Sequence, residues 1–213
     1  MKTILAPVDF SDAAANALSF AAELARRAAA RLVVTTVLDD GENEEEAKTK
    51  LQATEAGLKN TFGDSLACTT TLAHGSMVEA LQKTIAGQQT DLLVMGTKGA
   101  SGLKKMLIGS NTVNVIAGTR VPVLVIPEVA RFENFLKKEK NNIVLATDLD
   151  SLENDSVLQT LKQIALLIIN PTVKVLSVRP KNTVLSDEKR WERDFLLSVF
   201  DPEIESERIT IFC

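Results

Sequence analysis

The chain has no tyrosine, one tryptophan, one histidine (His74) and two cysteines (Cys68 and Cys213) among its 213 residues. Aromatic residues at 4% leave too few rings for a platform that stacks successive bases of a single strand. His74, Cys68 and Cys213 lie far apart, with no CxxC pair, and do not supply the four N or S ligands of a structural zinc. No metal ligand is therefore assigned. Two cysteines do not make a disulfide framework either, so the expected setting is a reducing one, the cytoplasm. Basic residues number 24 against 28 acidic, a net charge of -4. That balance argues against affinity drawn from nucleic-acid phosphates. No apolar run approaches the length of a membrane span, and the run after Met1-Lys2 meets Asp9 too early for a secretory signal. Neither nucleic acid nor membrane is an expected partner.

What is present is an ordinary globular composition, 45% hydrophobic and 24% charged. Over the first 127 residues, strand-like and helix-like segments alternate. Ile4-Leu5-Ala6-Pro7-Val8 is short and almost wholly apolar, as suits a strand buried on both faces. Ser11 and Asp12 offer a cap and a favourable charge to a helix running to about Ala30. Leu18, Ala21, Ala22, Ala25 and Ala28/Ala29 recur on one side of it, and such small residues imply close approach to a sheet. A β-branched strand follows at 31–38, then a charged helix at 42–60 with Glu44–Lys48 and Glu46–Lys50 in the favourable i,i+4 order. Further strands are expected at 68–73, 91–95 and 121–126, with helices at 77–87 and from Ser110. Five strands alternating with helices give an α/β fold built on a doubly wound parallel sheet.

Beyond Pro127 the texture changes. Residues 128–141 end in a charge run and read as a linker. The opening then returns: Ile143-Val144-Leu145-Ala146-Thr147-Asp148 repeats Ile4 to Asp9 at an offset of 139 residues, since 148 − 9 = 139. A helix at 153–168, a strand at 172–178, a helix at 187–199 and a strand from Ile209 follow. Residues 142–213 thus read as the front half of a second copy of the same fold. In such a copy Ile143–Thr147 keeps an open edge, which the first copy, another subunit or residues beyond a cut chain must cover; the last is the reading taken.

The segment Gly96 to Ser110 holds the chemistry. It leaves the carboxyl end of a buried strand, where parallel sheets bind ligands, and enters a helix whose first amides have no partner. Its glycines let phosphate oxygens reach backbone N–H groups. It is not a GxxxxGK[ST] loop, and Gly96, Gly99 and Gly102 do not make GxGxxG. No GxSxG elbow occurs, and His74 beside Gly75 reads as a solvated turn residue.

The spacing Gly96-x2-Gly99-x9-Gly109-Ser110 resembles the nucleotide-binding signature of the universal stress protein family. The opening Ile4-Leu-Ala-Pro-Val-Asp-Phe-Ser, the run Asp91-Leu-Leu-Val-Met-Gly-Thr-Lys-Gly and Val121-Pro-Val-Leu-Val are similar to that family too. The resemblance covers residues 1–127, with 141–213 as part of a second, tandem copy. It implies a five-stranded sheet of order 3-2-1-4-5 that binds ATP, with Mg²⁺ on the phosphates. Asp9 then corresponds to an acidic residue near adenine or ribose, and Pro7 and Val37 to the adenine slot. Gly96, Gly99, Gly109 and Ser110 correspond to phosphate-binding positions, with Met95 just before them and Asn111 and Thr112 just after. Each has a plainer reading as well: Asp9 as a helix cap, Gly96 and Gly99 as a tight turn, Pro7 and Val37 as core. The resemblance implies a regulatory role in the stress response. Slow ATP hydrolysis or phosphotransfer at the same site, and a dimerisation module without nucleotide, are the alternatives. No residue is assigned as catalytic, because none is placed as a general base. A homodimer through the fifth strand's edge or the partial second copy is expected.

Overall fold

Every residue from Thr3 to Ala6 is buried, so the first strand needs partners on both edges and cover on both faces. It obtains them. In the computed structural model, which describes residues 1–39, 41–97, 109–137, 141–147, 155–168, 170–179, 184–200 and 204–212, β1 (Thr3–Pro7) lies between β2 (Arg31–Leu38) and β4 (Leu92–Gly96). Outside these run β3 (Cys68–His74) and β5 (Val123–Ile126), giving the order β3-β2-β1-β4-β5 with every pairing parallel. This is the sheet expected from the sequence. The register puts Pro7 beside Thr35, and Thr35 beside Thr71. The Asp91 carboxylate accepts hydrogen bonds from the amides of Lys2 and Thr3, which ties the start of β4 to the start of β1.

Side chains alternate across the sheet. Leu5, Val33, Leu93 and Met95 face α3 (Met77–Gln88) and α4 (Ser110–Gly118), and join Leu81 and Val115 in one cluster. Ile4, Ala6, Leu32 and Val34 face the other way, towards α1 (Asp12–Ala28) and α2 (Glu44–Phe62). The Ser11 side chain caps α1 by accepting from the Ala14 amide. Ala13, Ala14, Ala17, Ala21, Ala22 and Ala25 are buried on α1, whereas Ala29, expected on that face, is the left-handed C-cap at φ 50° and is exposed. On α2, Glu44–Lys48 and Glu46–Lys50 are paired at 2.7 Å each, in solvent, where such pairs contribute little.

The chain divides into two compact units, Met1–Phe132 and Glu133–Cys213. The first runs past Pro127 because Phe132 is buried edge-to-face on Phe20, 5.4 Å between centroids, with the Arg27 guanidinium over its ring. Phe132 also begins α5 (Phe132–Lys137). The second unit holds β6 (Asn141–Ala146), α6 (Asp155–Leu166), β7 (Pro171–Arg179), α7 (Asp187–Phe200) and β8 (Glu205–Phe212). Its parallel sheet has the order β6-β7-β8, and β8 begins four residues earlier than the sequence suggests, since 209 − 205 = 4. Among the described residues β6 pairs with β7 alone. Val144, which stands where Leu5 stands in the first unit, is 54% exposed against 0% for Leu5.

Gly96 shows how tightly α1 sits on the sheet. A Cβ built there would lie 2.9 Å from the Ala13 carbonyl oxygen, a backbone atom with no freedom to yield. Gly96→Ala is expected to destabilise the first unit by about 1–3 kcal/mol, read as a lower urea midpoint. An unchanged midpoint would show that α1 can move away at no cost.

Candidate functional site

The carboxyl ends of β1, β2 and β4 open into a cavity of about 70 Å³. Pro7 and Val37 form its wall on the sheet side, with Met95 and Gly96 ending β4. Asp9 stands at the rim, and Asn111 and Thr112 come from the first turn of α4. These seven were singled out in the sequence, and the structure brings them together. Gly109 and Ser110 adjoin the cavity without lining it: Gly109 is the N-cap of α4, and its amide donates to the Thr97 carbonyl at 2.6 Å. Gly99 lies outside the described residues, as does Asp148 of the second unit.

Val8, Ala14 and Met77 also line the cavity, and the sequence reading missed them. Val8 precedes Asp9 and was legible only as strand, and Ala14 lies in the first turn of α1. Met77 is the first residue of α3 and reaches the site because that helix begins at the same edge of the sheet. The only available signal was Gly75, at φ 105°, a turn into a helix.

The helix ends differ in a way that bears on ligands. Ser11 satisfies the start of α1, with Asp12 in its first turn. Neither Ser76 before α3 nor Gly109 before α4 makes a side-chain cap. Amides in a helix's first turn have no intrahelical acceptor and present a partial positive charge. Two uncapped helix starts therefore flank one mostly apolar slot, which suits a ligand with a flat apolar part and an anionic end. Thr112 is buried, and its hydroxyl donates to the Gly96 carbonyl at 3.1 Å, holding α4 against the end of β4.

Asp9 does not cap α1. Its Oδ1 accepts from the Ser11 hydroxyl at 2.6 Å and from the Ser11 amide at 3.1 Å, so it orients the capping residue instead. Phe10, between them, has φ 61°, a left-handed conformation rare for a bulky side chain and a mark of a constrained turn. Elsewhere, burial and then the Glu55 carboxylate push the Cys68 thiol up to about 11, so it is protonated near neutral pH and no nucleophile. His74 is exposed at the end of β3, 4.0 Å from Glu44 and away from the cavity lining, as its solvated reading requires. Among the described residues no group of His, Cys, Asp and Glu is placed to hold a metal ion, and no helix is long and apolar enough to cross a membrane.

Thr35 is fully buried in the layer formed with Pro7, and its hydroxyl has no hydrogen-bond partner among the described residues. A buried hydroxyl left unpaired costs about 1–3 kcal/mol. Thr35→Val keeps the shape and removes that cost. Thermal denaturation is expected to shift upward by about 2–4 °C per kcal/mol recovered; a downward shift would mean that a water molecule satisfies the hydroxyl.

Comparison with known proteins gives consistent matches over the first unit. The model of the universal stress protein family matches residues 1–127. A universal stress protein of Thermus aquaticus, named for its place 3′ of a QAH/OAS sulfhydrylase gene, is 31% identical over 138 residues, 59% of this chain and 98% of that protein. A solved universal stress protein from Archaeoglobus fulgidus is 25% identical, covering 59% of this chain and 98% of its own, with a TM-score of 0.49. Another, from Pseudomonas aeruginosa, is 15% identical with a TM-score of 0.61, and the match covers 98% of this chain and 74% of that one. This last likeness is one of fold.

Proposed function

The chain belongs to the universal stress protein family, and from that premise we propose that it is a regulatory protein of the stress response that holds ATP in the cavity at the end of β1. The observation that supports this best is the uncapped start of α4 beside an apolar slot with Asp9 at its rim. In this reading the adenine lies against Pro7, Val37 and the thioethers of Met77 and Met95. The Asp9 carboxylate accepts from ribose hydroxyls, and the phosphates meet the amides that begin α4. Mg²⁺, where it accompanies the phosphates, takes its remaining ligands from water, since no carboxylate cluster is built for it among the described residues.

Holding fits better than turnover. Water attack needs a base within hydrogen-bond reach of the phosphates, and Asp9, the one carboxylate lining the cavity among the described residues, lies at the ribose end in this reading. The second unit we read as the front half of a second copy, because β6-β7-β8 runs in the same sense and neighbour order as β1-β2-β3. The edge position of β5 supports pairing of two copies through that strand. A cytoplasmic setting follows from the cysteine usage.

Calorimetric titration is expected to show saturable binding of ATP, weakened at least about tenfold by Gly109→Val. Single-turnover phosphate release should be no faster than in that variant. No heat with ATP, ADP or AMP would reject the reading. Light scattering at roughly 50 µM should report a dimer; a monomer would remove the pairing but leave the nucleotide site standing.

A further inference from the structure

Ser11 does not line the cavity, yet it holds the residue at the rim. Its hydroxyl donates to Asp9 Oδ1 at 2.6 Å, and its amide donates to the same oxygen at 3.1 Å. The amide contact, two residues on, is that of an Asx turn, bent through the left-handed Phe10. The Ser11 hydroxyl also accepts from the Ala14 amide at 3.3 Å, as the N-cap of α1. One network therefore runs from the Ala14 amide through the Ser11 hydroxyl to the Asp9 carboxylate. Ala14 is buried and lines the cavity itself, so the network is anchored in the packed part of the helix.

The chemistry of each group sets the direction of the network. An amide N–H can only donate and a carboxylate can only accept, so the serine hydroxyl points its single proton at Asp9. The bond that the hydroxyl oxygen accepts from Ala14 makes it a stronger donor in turn. A carboxylate on a surface turn otherwise spreads over the staggered wells of its first side-chain torsion. Asp9 is exposed, so packing leaves the choice among those wells to hydrogen bonds.

We propose that Ser11 is a positioning residue of the site: its hydroxyl holds Asp9 in the orientation from which the carboxylate accepts the ligand's ribose hydroxyls. The proposal rests on the nucleotide reading for the ligand, though not for the network itself. It gives the start of α1 a second task. Ser76 and Gly109 make no side-chain cap at α3 and α4, whereas Ser11 closes α1 and directs its proton at the rim. With the competent orientation one staggered well in three, loss of the hydroxyl leaves about a third of the molecules ready to bind and weakens ribose recognition about threefold.

Two measurements on the full chain test it, the first without nucleotide. NMR scalar couplings about the Asp9 Cα–Cβ bond should report a single rotamer. Ser11→Ala and Ser11→Asp should average it over several, and Ser11→Thr should restore it. Ser11→Asp separates positioning from folding: aspartate caps a helix as well as serine does, so the urea midpoint should hold. At neutral pH, however, its carboxylate brings no proton and repels Asp9. The second measurement compares, by calorimetry, ATP with 2′,3′-dideoxy-ATP, which has the same charge and lacks the ribose hydroxyls. The unsubstituted chain should prefer ATP; Ser11→Ala and Ser11→Asp should lower that preference about threefold or more, and Ser11→Thr should keep it. A rotamer or a sugar preference unmoved in Ser11→Asp would overturn the proposal. So would a loss in Ser11→Thr equal to that in Ser11→Ala, which would make the effect one of packing. ATP binding with no sugar preference in the unsubstituted chain would overturn it and leave the nucleotide reading standing. No binding of either nucleotide would reject both, whereas unmoved couplings reject the proposal alone.

Discussion

A strand paired on both edges and buried on both faces meets solvent only at its ends, and β1 is such a strand. Its polar residues are therefore pushed past Pro7, and Asp9 emerges at the carboxyl edge, where the neighbouring strands end in step with it. The parallel sheet makes the helices that follow β1, β3 and β4 start at that same edge. An apolar slot, a carboxylate and two uncapped helix starts converge because of that one constraint. The alanines of α1 and the bare Cα of Gly96 then let the helix close over the strand ends.

The sheet was legible because a buried parallel strand writes itself as an apolar run, as β1 and β4 do, while β2 is marked by its β-branched residues. Strand order was legible only through the resemblance to the family, since apolar runs mark strands but not their neighbours. Gly96 was found for one reason and turns out to have another: it is required by the Ala13 carbonyl whatever it does for a phosphate. Met77 was not legible, since periodicity tells which face of α3 is apolar but not which cavity its first residue enters. The contact between Lys50 and Phe10 was hidden for a similar cause. Glu46 and Lys50 read as an ordinary i,i+4 pair, and only the left-handed turn at Phe10 carries an aromatic ring to the same ammonium. Phe132 was read as linker because its partner, Phe20, is more than a hundred residues away in the chain.

If the second unit is read as a second copy, β6 is the counterpart of β1 with one edge open among the described residues. Ile143 and Leu145 pack with Val173 and Val175 against α6 and α7, just as the corresponding residues of the first unit pack on α1 and α2. The other face has no counterpart of α3 and α4 among the described residues. At about 25 cal/mol per Å² of apolar surface, leaving a valine half exposed forgoes on the order of 1 kcal/mol. The value is small beside the closed layer of Leu158, Leu196 and Phe200, each 2% exposed or less, which gives this unit a core of its own.

Asp9 stands at the rim of the cavity, and its charge bears on what the cavity can hold. Two like charges about 4 Å apart cost on the order of 4 kcal/mol at the effective dielectric of a protein surface, against about 1 kcal/mol in bulk water. In the proposed reading that penalty turns the anionic end of a nucleotide away from β1 and towards α4, whose first amides attract it. On that reading the slot has a direction: neutral, hydroxyl-bearing parts near Asp9 and phosphates beyond Gly96.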